Sequence, residues 1–555
     1  MKKQLTQQQI EQLIQQGCSA EDWGLIQVDN ELNLLYIHHT AFKGHITIGK
    51  DVKLEHVGLI ENYYIEDGVT IYRTNELSTD KSWPDNFYQE GITVGNEAGD
   101  TNILFRPINN EFEDWIGLHY PQYRKGTHVL NNHFETLNKI GEGCVIRNSG
   151  VIRNVNMASH VVIEGAAHLE YGQLHEGCHI GTQVIAHSFS IGPRTRVTDG
   201  AKLYHVITTN DCKIGKGFMA ENCYFSHHSE LFCGEACAVF AGPHTVSHHK
   251  STLLIGGEFS FYNAGSNTNQ SNHAYKLGPI HYGTLARGSK TASGCHILWP
   301  MQTAPFSMVM GKVKTHPDLS ALPFSYIIAD SDKVYVVPGI NLGTAGTFRD
   351  IIKWKQRGQS PYIGEYQFLS PWVMQSIFKG IDLLQQLQQT YGTEVEVYPY
   401  QGTFIRRSAL EKGLSRYELA VRLYAGSISP TNNIFAEATG WHWIDIAGQP
   451  YVEEQLANIL TSLTDTNGLD RNNLISKLNE CYTSQAQQWG AAMLTERYGE
   501  NFTSGALQKT AQGAFEEWKS LLIADAHKEL AFGDVSTDIV EDFTAKVKKT
   551  EIESL

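Results

Sequence analysis

The chain has 555 residues, more than one hydrophobic core serves, so two to four domains are expected. Its 41% hydrophobic and 19% charged content is that of a globular protein in water. A net charge of −15 leaves no cationic surplus for a nucleic-acid backbone, although local clusters can still attract an anionic metabolite.

The N-terminus, "MKKQLTQQQIEQLIQQG", has no apolar signal-like core, and nowhere do 18 apolar residues run together, so a cytoplasmic protein without a membrane span is expected. A short helix is predicted over 6–16. Thr6 and Gln9 have capping-box spacing, Ile10, Leu13 and Ile14 share a face, and Gly17 closes it. The nine cysteines are scattered, and Cys233 and Cys237 have no second pair at zinc-site spacing, so they read as reduced, packed thiols. Histidine is the unusual residue: 24 are present, most of them before residue 320.

From residue 46 aliphatic residues recur every six positions, with slips. Ile48, Leu54 and Ile60 are six apart, and Ile65 and Ile71 resume after a one-residue slip. Ile140, Ile146 and Ile152 follow, then Leu174 and Ile180, then Ile185, Ile191, Val197 and Leu203 after another slip. Neither a helix nor a hairpin sheet sustains that period, whereas short strands turning at regular intervals in a solenoid do. Residues 73–138 break the repeat with aromatic, Asn-rich sequence and read as an inserted excursion. A second interruption at about 257–283, rich in Asn, Ser and Gly, reads as a projecting polar loop. Beyond about 345 the spacing becomes helical, as in "PWVMQSIFKGIDLLQQLQQTY", and a helical domain over 346–555 is expected to cap the solenoid. The predicted plan is therefore mainly β: lead-in residues 1–44, a solenoid over 45–345 with its two interruptions, and the C-terminal helices.

"IGKDVK", "IGEGCV", "IGTQVI" and "IGPRTR" resemble the motif of the hexapeptide-repeat, left-handed parallel β-helix superfamily. The resemblance implies that three hexapeptides make one coil, so residues about 18 apart stack. His187 with His205, His168 with His187 and His160 with His179 would then form imidazole columns, read as structural. It also implies a homo-oligomer, with a trimer favoured.

The stretch "GPHTVSHHKSTLLIGG" holds His244, His248 and His249 within six positions. Many members of the superfamily transfer an acyl group from coenzyme A or a carrier thioester to a sugar, with a histidine as general base. That resemblance implies an acyltransferase acting on a sugar or nucleotide-sugar. His248 or His249 would be the base, His244 its orienter, and acyl-coenzyme A the co-substrate. The turn "VMGKVKTHP" resembles those placed near the pantetheine arm in such enzymes. Asn263, Asn267 and Asn272 in the polar loop suit a polyhydroxylated or amide-bearing substrate, and His273 and His281 would reach in from the loop to bind it or serve as the alternative base. Lys276 and Arg287 suit its phosphates. A second resemblance, to the γ-class carbonic anhydrases, implies instead a zinc lyase or hydrolase with His205, His244 and His249 as ligands. A non-catalytic sugar- or nucleotide-binding solenoid is the third alternative.

Overall fold

The structure is a computed structural model. It describes residues 2–80, 83, 87–95, 102–106, 109, 111–120, 138–271, 282–356, 367–429, 435–446, 449–464, 471–499, 506–532 and 536–551. The described residues fall into two compact units, 2–120 with 138–257, and 258–271 with 282–551. Strands in both are coiled as a parallel β-solenoid of the left-handed β-helix type, about 15 turns in all.

Through the middle of the first unit a side chain and its neighbour one turn on are 17 residues apart, as Arg194 and Asp211 are where they form an ion pair. Val145, Val162, His179, Arg196, Lys213 and Glu230 are direct partners on successive coils at that same spacing. The inward residues explain it. Ile140, Ile146, Ile152, Met157, Ile163, Leu169, Leu174, Ile180, Ala186 and Ile191 are all buried and advance by six, six and five. Slips of this kind are thus a regular part of the coils over 140–191. Ala186, not Ile185, is the inward residue at its step, because the short step comes after it.

Corners of the coil need a left-handed backbone, and two columns of them are evident. One runs through His160, Arg194, Asp211, His228 and His244, the other through Asn154, Tyr171, Ser188, His205 and Asn222, all with φ between 50° and 60°. Asn, Asp and His tolerate this region better than most side chains. His39 and His56, also left-handed, stack at 4.8 Å between ring centroids. Six histidines therefore sit at corners, which accounts for part of the enrichment. The observed turn length also corrects the expected columns: Glu170 pairs with His187 and Val162 with His179, so neither His168 and His187 nor His160 and His179 are in register. His187 and His205 remain neighbours, 6.1 Å apart and tilted.

Cys144, Cys178 and Cys212 recur at alternate coils, each thiol donating to a backbone carbonyl 3.1 Å away. All nine cysteines are free thiols.

The solenoid runs on through strand Glu76–Ser78, so the insertion begins near 79 rather than 73. It carries a hairpin, Gly91–Thr93 with Asn102–Leu104, and a helix, Glu111–His119. Alternation points Asn156, Gln173, Ser190, Ile207, Tyr224 and Phe240 outward in one register column, yet all are buried. The insertion covers them. Its Ile92, Ile103, Phe105 and Ile116 are buried, and strand Gly91–Thr93 lies against Lys202–Thr208 and Met219–Phe225. Polar contacts pin it coil by coil. The Asp80 N–H donates to Asn154 Oδ1 at 2.8 Å, the Tyr88 hydroxyl to Gln173 Oε1 at 3.1 Å, and the Gly95 N–H to the Ala238 carbonyl at 2.8 Å.

In the second unit the coils are less uniform, as the pairings Thr284↔Gln302↔Asp318 and Lys290↔Met308↔Tyr326 show. Residues 258–271, expected as loop, are instead strands Glu258–Phe259, Asn263–Ala264 and Asn269–Ser271. Some of their buried polar side chains pair with one another. Gln270 Nε2 donates to the Tyr262 hydroxyl at 2.9 Å, and that hydroxyl lies 2.9 Å from Thr291 Oγ1. The solenoid ends in the antiparallel pair Tyr326–Asp330 and Lys333–Val337. Helices follow, including Pro371–Tyr391, Arg407–Ala425, Arg471–Tyr498 and Ala506–Glu529. The Tyr417 hydroxyl donates to the Pro323 carbonyl at 2.8 Å, tying one of these helices to the last turn, and Trp518 Nε1 donates to the Leu342 carbonyl at 2.9 Å, tying another to the short 3-10 helix Ile340–Gly343 that follows. Among the described residues no helix is long and apolar enough to cross a membrane.

Candidate functional site

The three clustered histidines are not brought together. His244 is a buried corner residue, its ring stacked on His228 at 5.2 Å. The strand Val246–Ser247 separates it from His248, which stacks on Phe232 and places Nε2 2.8 Å from Glu230 Oε2 at the surface. His249 is exposed, and its carbonyl accepts a hydrogen bond from Thr252. Among the described residues no three His, Cys, Asp or Glu side chains are grouped to hold a metal ion, so His205, His244 and His249 do not form a ligand set.

Asn263 and Asn267 are exposed on the second unit, Asn267 at a left-handed corner. Asn272, His273, Lys276 and His281 lie outside the described residues. Arg287 is placed differently from expectation. Its guanidinium is 1% exposed and bidentate to Asp445, with Nε 3.0 Å from Oδ2, while Phe261 and Trp372 flank it at 5.7 and 5.5 Å. A guanidinium neutralised and enclosed in this way is a structural tie, not a phosphate receptor.

What the sequence reading missed lies under the insertion. The helix Glu111–His119 buries Glu111, Glu113 and Asp114 in its first turn, where the positive end of the helix favours anions. Glu111 Oε1 meets His227 Nδ1 at 2.5 Å and accepts from Thr209 Oγ1 at 2.7 Å and Ser226 Oγ at 2.9 Å. The two side chains are 3% and 2% exposed. Burial pushes the Glu111 carboxyl up. The facing imidazole, with hydrogen bonds from His227, Thr209 and the helix backbone, outweighs it and holds the carboxyl at about 2. An ionised carboxylate is acceptor-only, so the proton of this contact sits on Nδ1 and a neutral ring presents Nε2 as its acceptor. Neither His227 Nε2 nor Glu111 Oε2 has a hydrogen-bond partner among the described residues. The His244 ring lies edge-on to His227 at 5.6 Å. Buried polar atoms left open in this way call for a reason, and a role in binding or catalysis is one.

The only hint of this pairing in the sequence was the run "NNEFEDWIGLHY". Three acids beside Phe, Trp and Ile are unusual for a surface excursion, but nothing in the spacing says which coil they reach.

Taken together, these features describe a parallel β-solenoid whose insertion sets a carboxylate on a buried coil histidine. The chain belongs to the family described as Domain of unknown function (DUF4954), which matches residues 2–56 and 45–388, and the match is not to a hexapeptide-repeat family. None of the curated proteins matches the chain.

Proposed function

We propose that the protein is an acyltransferase acting on a hydroxyl or amine of a sugar or nucleotide-sugar, with His227 as general base and Glu111 as its orienting carboxylate. The observation that supports the reading is the buried 2.5 Å contact between His227 Nδ1 and Glu111, with Nε2 left open. A base whose far nitrogen is held by an ionised carboxylate is fixed in one tautomer and one orientation. The acceptor enters between the insertion and the solenoid face. Its oxygen or nitrogen attacks the thioester carbonyl while Nε2 takes its proton, and the proton then passes to the departing thiolate. An ester or amide and a free thiol result. This assignment moves the base from His248 and His249 to a histidine one coil before His244.

The test is thiol release from acetyl-coenzyme A in the presence of amino- and deoxy-sugar nucleotides. His227→Gln is expected to cut turnover at least ~10²-fold, the usual weight of a general base, while the melting curve changes little. Unchanged turnover in His227→Gln would refute the assignment. Tight sugar-nucleotide binding without turnover, in protein with the His227–Glu111 contact intact, would replace it with the binding-module reading.

A further inference from the structure

The insertion carries three carboxylates into a buried network where, among the described residues, they meet one guanidinium, that of Arg106, and one imidazole, that of His227. Glu111 faces His227, and Glu113 accepts from Arg106 Nη1 at 2.8 Å. Asp114, with no exposed surface, has only a share of that same Nη1, 3.7 Å away. Its other neighbours are neutral: Asn109 Nδ2, 3.3 and 3.4 Å from its two oxygens, and the hydroxyl of Tyr224 from the solenoid strand Met219–Phe225. A third negative charge here is not offset, and a buried carboxyl without a full partner takes a proton instead. Burial, the largest influence, and the charge of Glu113 push the Asp114 carboxyl up to about 7 against the opposing pull of Arg106.

We propose that Asp114 enters the contact between insertion and solenoid in its protonated form, so that closing the insertion over His227 takes a proton from solvent and opening returns it. The contact that brings Glu111 to His227 is then proton-linked, with Asp114 as the titrating group and Arg106, Glu113, Glu111, His227 and Tyr224 as the groups around it. The sign follows from the two states. A carboxyl raised in the closed state and ordinary in the open one, at 3.8, favours closure at low pH and loses that advantage progressively up to about 7. Entry to the candidate site therefore eases as pH rises through this window. That regulatory meaning rests on the function proposed above, but the test does not use turnover, so the two fail separately.

The experiment is backbone hydrogen exchange of the full chain between pH 5 and 7, read at amides of the helix Glu111–His119 in the wild type and in Asp114→Asn. The opening constant of the wild type divided by that of the variant is expected to rise about tenfold per pH unit. A ratio that stays constant would overturn the proposal. If Asp114→Asn does not fold, the wild-type helix amides are compared with those of strand Val145–Arg147 on the same solenoid. The excess opening of the helix must grow with pH, and an excess that is flat or falls overturns the proposal equally.

Discussion

Replacing Glu111 by Gln tests whether the buried pair is energetically coupled to the fold as its geometry requires. The carboxyl stands at about 2 in the folded protein against 4.5 without its surroundings. At about 1.4 kcal/mol per pH unit this difference is on the order of 3 kcal/mol of stability. Because the folded value is depressed, the stabilisation is fully present above pH 4.5 and is lost as pH falls towards about 2. Glutamine keeps the shape and can still accept from Thr209 and Ser226, but it removes the charge facing His227. Urea unfolding at pH 7 is the assay, followed by the fluorescence of Trp83 and Trp115, which are buried in the insertion. The expected result is a loss of about 3 kcal/mol in the transition that exposes those tryptophans, with the deficit shrinking between pH 4.5 and 3. A loss below about 0.5 kcal/mol at pH 7, the scale of an ordinary surface substitution, would mean that the pair is not coupled to the fold. Glu111 would then not be the ionised partner that orients His227.

Three further outcomes are expected. Arg287→Ala leaves Asp445 buried and unpaired, and the second unit should lose about 3–5 kcal/mol in thermal or urea unfolding, where a loss under about 1 kcal/mol would deny the structural role. Gly172→Ala directs a methyl group into the Phe189 ring, so stability should fall by roughly 1–3 kcal/mol and recover in part when Phe189→Leu is added. His248→Ala removes a surface contact with Glu230, and both melting temperature and thiol release should stay near the wild type, a shift beyond about 1 kcal/mol being evidence of an unrecognised role.

The solenoid was legible because its physical cause is local. Each inward aliphatic repeats the same packing problem, so Ile140, Ile146 and Ile152 announce the coil, and helix Pro371–Tyr391 coincides with the stretch picked out by its apolar spacing. The length of the turn was also in the sequence, in the five-residue steps after Ile60 and after Ala186, the second hidden by the aliphatic Ile185 beside it, but such a step looks like noise until the register shows it on successive coils. The candidate site was not legible, because Glu111 and His227 are 116 residues apart and meet only through the path of the insertion. Clustering in sequence misled for a related reason. On a coil, neighbours in sequence such as His244 and His248 occupy different sides, whereas His228 and His244, on successive coils, stack. Arg287 shows the same limit for charge, since no pattern near it reveals that Asp445 waits 158 residues later.

The fixed turn length makes the insertion a ruler. It is fastened at Asn154, Gln173 and Ala238, and its helix delivers Glu111 to Thr209, Ser226 and His227. Removing one whole storey between Gln173 and Thr209 would leave every remaining seam in register. It would also draw His227 about 4.8 Å towards the first fastening while the reach of the insertion stayed the same. The number of storeys is therefore not free to drift in this stretch, as it is in most repeat proteins: it is set by the length of the segment laid across them.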